Sequence, residues 1–251
     1  MLILKMFQWI QQQISFVAVR IYATNKAELP LGTVMLVSQD QVEGHYPVYE
    51  SEIIAQAREI LQQGYTISQQ INYENLQLKV CFDVQLVTPA MIIVGAGHIA
   101  VPLSQMAKIL GFSLTILDDR PDYANHERFP NADEILVGPF EERLQKIPLH
   151  SQSYVVLITR GHAYDRECLR AVLGRGAAYI GMICSLRRKA STFGLLQQEG
   201  YSSEQLQEIY APIGLDIGGE TPEEIAVSII SEIVALRNQG AEWVRNHKKE
   251  K

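Results

Sequence analysis

Gly95-Ala96-Gly97-His98-Ile99-Ala100 is the stretch of this sequence best suited to hold an anion. It follows a short apolar run, Met91-Ile92-Ile93-Val94, and precedes apolar residues at helical spacing, so it reads as a strand-to-helix turn. Gly95 permits the tight turn, Gly97 lets a pyrophosphate approach the backbone, and Ala100 keeps helix and strand close in place of a third glycine. Free N–H groups over residues 95–99, together with the helix macrodipole, favour negative charge there. Asp118 lies 23 residues beyond Gly95, at the end of the next expected strand. A carboxylate at that place can accept from a ribose hydroxyl and repel a 2′-phosphate, although Arg120 sits close by. The competing reading is a glycine turn in an α/β domain with no ligand.

Other polar residues fall at the ends of further expected strands. Thr159-Arg160-Gly161-His162 ends the fourth and Gly181-Met182-Ile183-Cys184-Ser185 the fifth. Loops at the carboxyl ends of parallel strands converge on one crevice, so His98, Asp118, Asp119, Arg160, His162 and Ser185 are expected on a common rim. Ser185 can cap the following helix, and Arg187, Arg188 and Lys189 can then hold a phosphate; the alternative is a solvated cationic turn. Cys184 reads as a buried, inert thiol. No His, Cys or Glu pair has metal-ligand spacing such as H-x-x-x-H, so no metal is expected. Thr221-Pro222-Glu223-Glu224 is a capping box with proline at the first helical position, behind a glycine-rich lead-in carrying Asp216 and Glu220.

These residues need a scaffold. From residue 89 onward the sequence alternates strand and helix, with strands at 91–94, 114–117, 135–137, 154–159 and 177–180. That grammar means a parallel sheet with right-handed crossovers. Pro102 falls inside the first helix of this half, where it removes one backbone bond unless the first turn absorbs it. Before Thr88-Pro89 the pattern is different: strands at 14–21 and 33–37, an amphipathic helix at 51–62 stopped by Gly64, and a period-two strand from Leu76 to Leu86. The expected organisation is a small α+β domain over 1–88 and a Rossmann-like α/β domain over 89–251.

Composition excludes several classes of function. The chain has 251 residues, 47% of them hydrophobic, which is enough for sizeable cores. Its net charge of −6 and lack of a basic stripe argue against binding nucleic acid. Three widely spaced cysteines, at 81, 168 and 184, point to reduced thiols rather than a disulfide framework. No apolar run is long enough to span a bilayer, so no membrane partner is expected and the location is read as cytoplasmic. The first residues, MLILKMFQWIQQQ, read as a short amphipathic helix or a disordered start, and the charged end over 246–251 as a solvated tail.

Five ordered motifs carry a family resemblance: GAGHIA, LDDRPDYANHERFPNAD, TRGHAYD, YIGMICSLRRK and APIGLDIGGETPEEIAVSIISEI. Together they resemble the Rossmann domain of the xanthine dehydrogenase accessory factor family, XdhC/CoxI, over roughly residues 90–238. The resemblance implies a cytosolic, homodimeric accessory protein that binds molybdenum cofactor (molybdopterin). Such a protein assists the cofactor's sulfuration or its insertion into a molybdenum hydroxylase, with that hydroxylase and a cysteine desulfurase as partners. It implies a holding role rather than catalysis, with Gly95, Gly97, His98, Asp118, His162 and Ser185 around the cofactor; Ile99, Asp119, Arg160, Arg187 and Arg188 are further contacts expected from the residues themselves. The amino-terminal third departs. Family members carry Gly-Gly-Gly-Cys after Met-Leu-Val, whereas here Met35-Leu36-Val37 is followed by Glu43-Gly44-His45-Tyr46-Pro47, without that cysteine. Read from residues alone, the turn and Asp118 leave two alternatives: an NAD(P)-dependent oxidoreductase, or a module that senses a nucleotide without turnover.

Overall fold

The computed structural model describes residues 2–160 and 162–248, and only the backbone of His162 and Ala163. The chain divides into two compact units, Met1–Val87 and Thr88–Lys251. No helix among the described residues is long and apolar enough to cross a membrane.

The first unit contains α1 (Leu2–Gln11), β1 (Phe16–Thr24), β2 (Val34–Val37), β3 (Val42–Glu43), α2 (Glu50–Gln63), β4 (Ile67–Tyr73) and β5 (Leu76–Gln85). Its sheet is antiparallel in the order β3-β2-β1-β5-β4. Alternation along β1 sends Val17, Val19 and Ile21 into a core shared with Ile53, Ala57 and Ile60 of α2. Phe16 joins a smaller cluster with Trp9 and Leu36. The apolar start of the chain is therefore a helix, pinned by a fully buried Trp9. The period-two pattern forms β5 but stops at Gln85, and Leu86 is left exposed. β4 (ISQQINY) turns Ile67, Ile71 and Tyr73 toward the core, but Gln69 interrupts that row, and pairing along β5 completes the strand.

The second unit runs β6 (Ala90–Val94), α3 (Ala100–Ile109), β7 (Ser113–Asp118), β8 (Glu134–Val137), α4 (Phe140–Lys146), β9 (Ser153–Leu157), α5 (His162–Val172), β10 (Tyr179–Met182), α6 (Leu186–Gln198), α7 (Ser203–Gln207), β11 (Ile209–Tyr210), α8 (Pro222–Gln239) and α9 (Ala241–Asn246). The sheet is parallel throughout, in the order β11-β10-β9-β6-β7-β8. This is the doubly wound Rossmann arrangement. Successive β6 side chains serve opposite faces: Met91 and Ile93 pack with α3 and α8, Ile92 and Val94 with α4, α5 and α6. The strand order reverses between β6 and β9, which opens a crevice beyond their carboxyl ends.

Three expectations are corrected here. The sheet has six strands rather than five, because β11 is only two residues long and carries no periodicity. The fifth strand lies two residues later than the apolar run suggested. The end of the chain is not uniformly solvated: the Lys248 side chain is 19% exposed and paired with buried Glu232 at 2.6 Å. Pro102 is the third residue of α3, where its missing N–H removes no helical bond.

Candidate functional site

The turn after β6 shows two glycines with different reasons to be glycine. Gly95 has φ +105°, and a Cβ there would lie 2.5 Å from the Ile158 carbonyl oxygen, so packing against the end of β9 demands it. Gly97 has no positive φ, and a Cβ on it would meet nothing within 4 Å. Neither backbone conformation nor packing requires glycine at 97. A side chain there would stand in open space beside a hollow of about 60 Å³ that Gly97 lines with Asp118, Asp119, Thr159 and Arg160.

The amides of the turn are divided in the same way. Gly95 N–H donates to the Leu117 carbonyl at 2.7 Å, and Ala96 N–H donates to Asp118 Oδ2 at 2.7 Å. The N–H groups of Gly97, His98 and Ile99 donate to no protein acceptor among the described residues. Arg128 closes the far side of the turn, donating to the Ala96 carbonyl at 2.6 Å and the Tyr123 carbonyl at 2.8 Å.

Asp118 therefore does not reach outward as a ribose acceptor. It is 1% exposed, and Arg120 binds its carboxylate through the backbone N–H at 3.0 Å, Nε at 2.9 Å and Nη2 at 3.2 Å. Burial alone would raise its pKa, but the hydrogen bonds from Arg120 and Ala96 outweigh it and hold the carboxyl below its ordinary value. Asp119 is the carboxylate that faces the hollow. Its Oδ2 accepts from Arg160 Nη2 at 2.6 Å, while its buried Oδ1 accepts no hydrogen bond among the described residues. Arg160 also lies over the Tyr164 ring, 5.3 Å from its centroid.

The remaining expected residues separate. His98 is exposed and does not line the hollow, and Ile99 packs partly against the core below α3. The His162 side chain lies outside the described residues; its backbone opens α5. Ser185 caps α6, accepting from Arg188 N–H at 3.2 Å. The three cations that follow diverge, because consecutive helical residues point about 100° apart. Arg187 is exposed, Arg188 turns inward to Asp165, and Lys189 faces another cavity. Asp165 is fully buried, accepting from Arg188 Nε at 2.5 Å and Thr159 Oγ1 at 2.6 Å. This pair ties the start of α5 to α6, so Arg188 serves the scaffold rather than an open anion site.

Burial pushes the Cys168 and Cys184 thiols up, with Asp165 adding to the effect in both. Among the described residues no group of three or more His, Cys, Asp or Glu is placed to hold a metal ion. Sequence reasoning missed Arg128, whose role depends on a carbonyl 32 residues away. It also missed Glu232, a carboxylate one position from Ile233 on the buried stripe of α8, which was the available signal.

Residues 91–233 match the family described as the XdhC Rossmann domain. An uncharacterized protein, YqeB, of Escherichia coli K12 is 29% identical over 162 residues, 64% of this chain and 30% of that protein. A Bacillus subtilis 168 protein described as a probable xanthine dehydrogenase subunit is 34% identical over 153 residues, 61% of this chain and 44% of that protein. This chain thus spans less than half the length of either curated relative. A crystal structure from Bacillus halodurans described as a xanthine dehydrogenase shares the fold over 96% of both chains, with a TM-score of 0.56 at 18% identity. With the family match running over more than half of its length, the chain belongs to the XdhC Rossmann domain family.

Proposed function

We propose that this chain is a non-catalytic accessory protein that holds molybdenum cofactor for a molybdenum hydroxylase such as xanthine dehydrogenase. The observation that carries this reading is Gly97, a glycine with no structural need to be one, beside three undirected amides at the start of a helix. Keeping that space clear makes sense if an anion enters it. The hollow has the size of a phosphate group. Its roughly 60 Å³ is far below the ~300–1,000 Å³ that whole ligands occupy, so a pterin or dinucleotide body stays outside it.

Molybdenum cofactor would supply a phosphate, a pterin edge and the client's redox metal. The N–H groups of Gly97, His98 and Ile99 would take the phosphate. Arg160, 42% exposed, can turn from Asp119 toward it, and the Asp119 Oδ2 that it releases can accept from a pterin N–H. The charged groups around the hollow are already paired, Asp118 with Arg120 and Asp119 with Arg160, which suits holding better than proton transfer. Cys168 and Cys184 stay protonated at neutral pH, which suits sulfur delivery by a separate cysteine desulfurase. A homodimer that docks on the hydroxylase completes the proposal.

Anaerobic isothermal titration of the full chain with isolated molybdenum cofactor tests it. The wild type is expected to bind, and Gly97→Ala to bind at least tenfold more weakly with an unchanged melting temperature. No heat from folded wild-type protein rejects the reading. Equal affinities reject the glycine turn as the phosphate site.

A further inference from the structure

A second cavity, of about 710 Å³, lies at the β11 edge of the sheet and shares no lining residue with the hollow at the turn. One wall is a stripe of α6: Leu186, Lys189, Phe193 and Gln197 follow at steps of three, four and four. The opposite wall comes from Leu206 of α7, Ile209 of β11 and the loop through Ile213 and Leu215. The walls thus mix apolar side chains with polar and charged ones, and the volume falls within the ~300–1,000 Å³ of small-molecule sites.

Cations gather beside the apolar part of this surface. Lys189, Arg245 and Lys248 line the cavity, against the single lining carboxylate Asp216 among the described residues. Lys248 is held from behind. Its ammonium donates to the Pro212 carbonyl at 2.6 Å and pairs with Glu232 Oε2 at 2.6 Å, while Glu232 Oε1 accepts from Tyr179 Oη at 2.5 Å. Two of its three N–H donors are thereby placed, leaving one for whatever enters. Arg245 gives one N–H to the Gln207 carbonyl and keeps others. The Lys189 ammonium makes no ion pair or hydrogen bond among the described residues, and it lies 5.6 Å from the Phe193 ring centroid. Among the described residues, three cations stand against Asp216 and Glu232. Burial depresses the Lys248 pKa, and the neighbouring Lys189 charge adds to that, while Glu232 opposes it. An entering anion would relieve the same repulsion.

We propose that this cavity binds a small organic anion with an apolar body and a carboxylate or phosphate head, the head meeting Lys189 and Lys248. Calorimetric titration of the full chain with octanoate, octyl phosphate, octanol and inorganic phosphate tests it. The expected result is binding of octanoate, octyl phosphate or both, at least tenfold tighter than octanol, and no measurable binding of inorganic phosphate. Lys189→Gln disturbs no side-chain hydrogen bond and should loosen the bound anion about fivefold while leaving octanol unchanged. Because Lys248→Met alone strands Glu232, a Lys248→Met, Glu232→Gln double variant provides the second reading, with a further loss expected. Silence from both octyl anions, equal affinity for octanol, or undiminished anion affinity in both variants overturns the proposal. Gly97→Ala should leave octyl anion binding intact, so failure here is distinguishable from failure at the glycine turn.

Discussion

Gly95 and Gly97, two residues apart, make opposite demands. Alanine at 95 would force a β-carbon to 2.5 Å from a backbone oxygen at a φ that L-residues avoid. Strain of this type costs on the order of 1–3 kcal/mol before the clash is added. Thermal melts should therefore show Gly95→Ala lowered by roughly 2–12 °C before the clash is counted, and Gly97→Ala within about a degree of wild type. A Gly97→Ala protein as unstable as Gly95→Ala would remove the argument that position 97 is kept clear for a ligand. Asp118 gives a second test through pH. Its folded pKa is depressed, so it adds stability that is complete above the unfolded value near 3.9 and lost as pH falls through the folded value. Asp118→Asn should lose about 1–3 kcal/mol at pH 7, where Arg120, 30% exposed, keeps Asp119 at 3.9 Å. Its denaturant midpoints should also change less than those of wild type below about pH 4. Parallel pH curves for the two proteins would assign the acid sensitivity elsewhere.

Helix α6 decides what a run of three cations can do. On a helix, Arg187, Arg188 and Lys189 face three directions, and each meets a different environment. Arg188 carries the structural share, because Asp165 behind it is fully buried. Arg188→Ala is expected to destabilise the protein by about 3–5 kcal/mol through that stranded carboxylate. Arg187→Ala should stay within about 0.5 kcal/mol, as for exposed positions generally. Urea denaturation of the two variants checks this, and similar losses from both would contradict the divergence of the side chains.

At the scale of the molecule, the cavity of about 710 Å³ shares no lining residue with the hollow at the turn that the motifs single out, and one of its lining cations, Lys248, is held by buried Glu232. Removing only Lys248 leaves Glu232 without its cation in an apolar setting, whereas removing both charges does not. Lys248→Met should cost roughly 3 kcal/mol, and adding Glu232→Gln should restore most of it, because glutamine can still accept from Tyr179. Additive losses in a double-mutant cycle would mean that the pair does not couple.

The alternation of strands and helices, the glycine turn, the cap at Thr221 and the change of architecture near residue 88 are all written locally. Periods of two and 3.6, and the few residues that tolerate a turn or a cap, express themselves within a dozen positions, and the family motifs rest on the same short stretches. Folding settled the rest. Asp118 met Ala96 and Arg120 instead of open solvent, Arg188 met Asp165, Glu232 met Lys248, and β4 and β11 became strands. In each case the partner stands on another element or further along the chain. Local spacing can place a charge at a strand end, but only packing brings up the opposite charge that either engages it or leaves it facing a cavity.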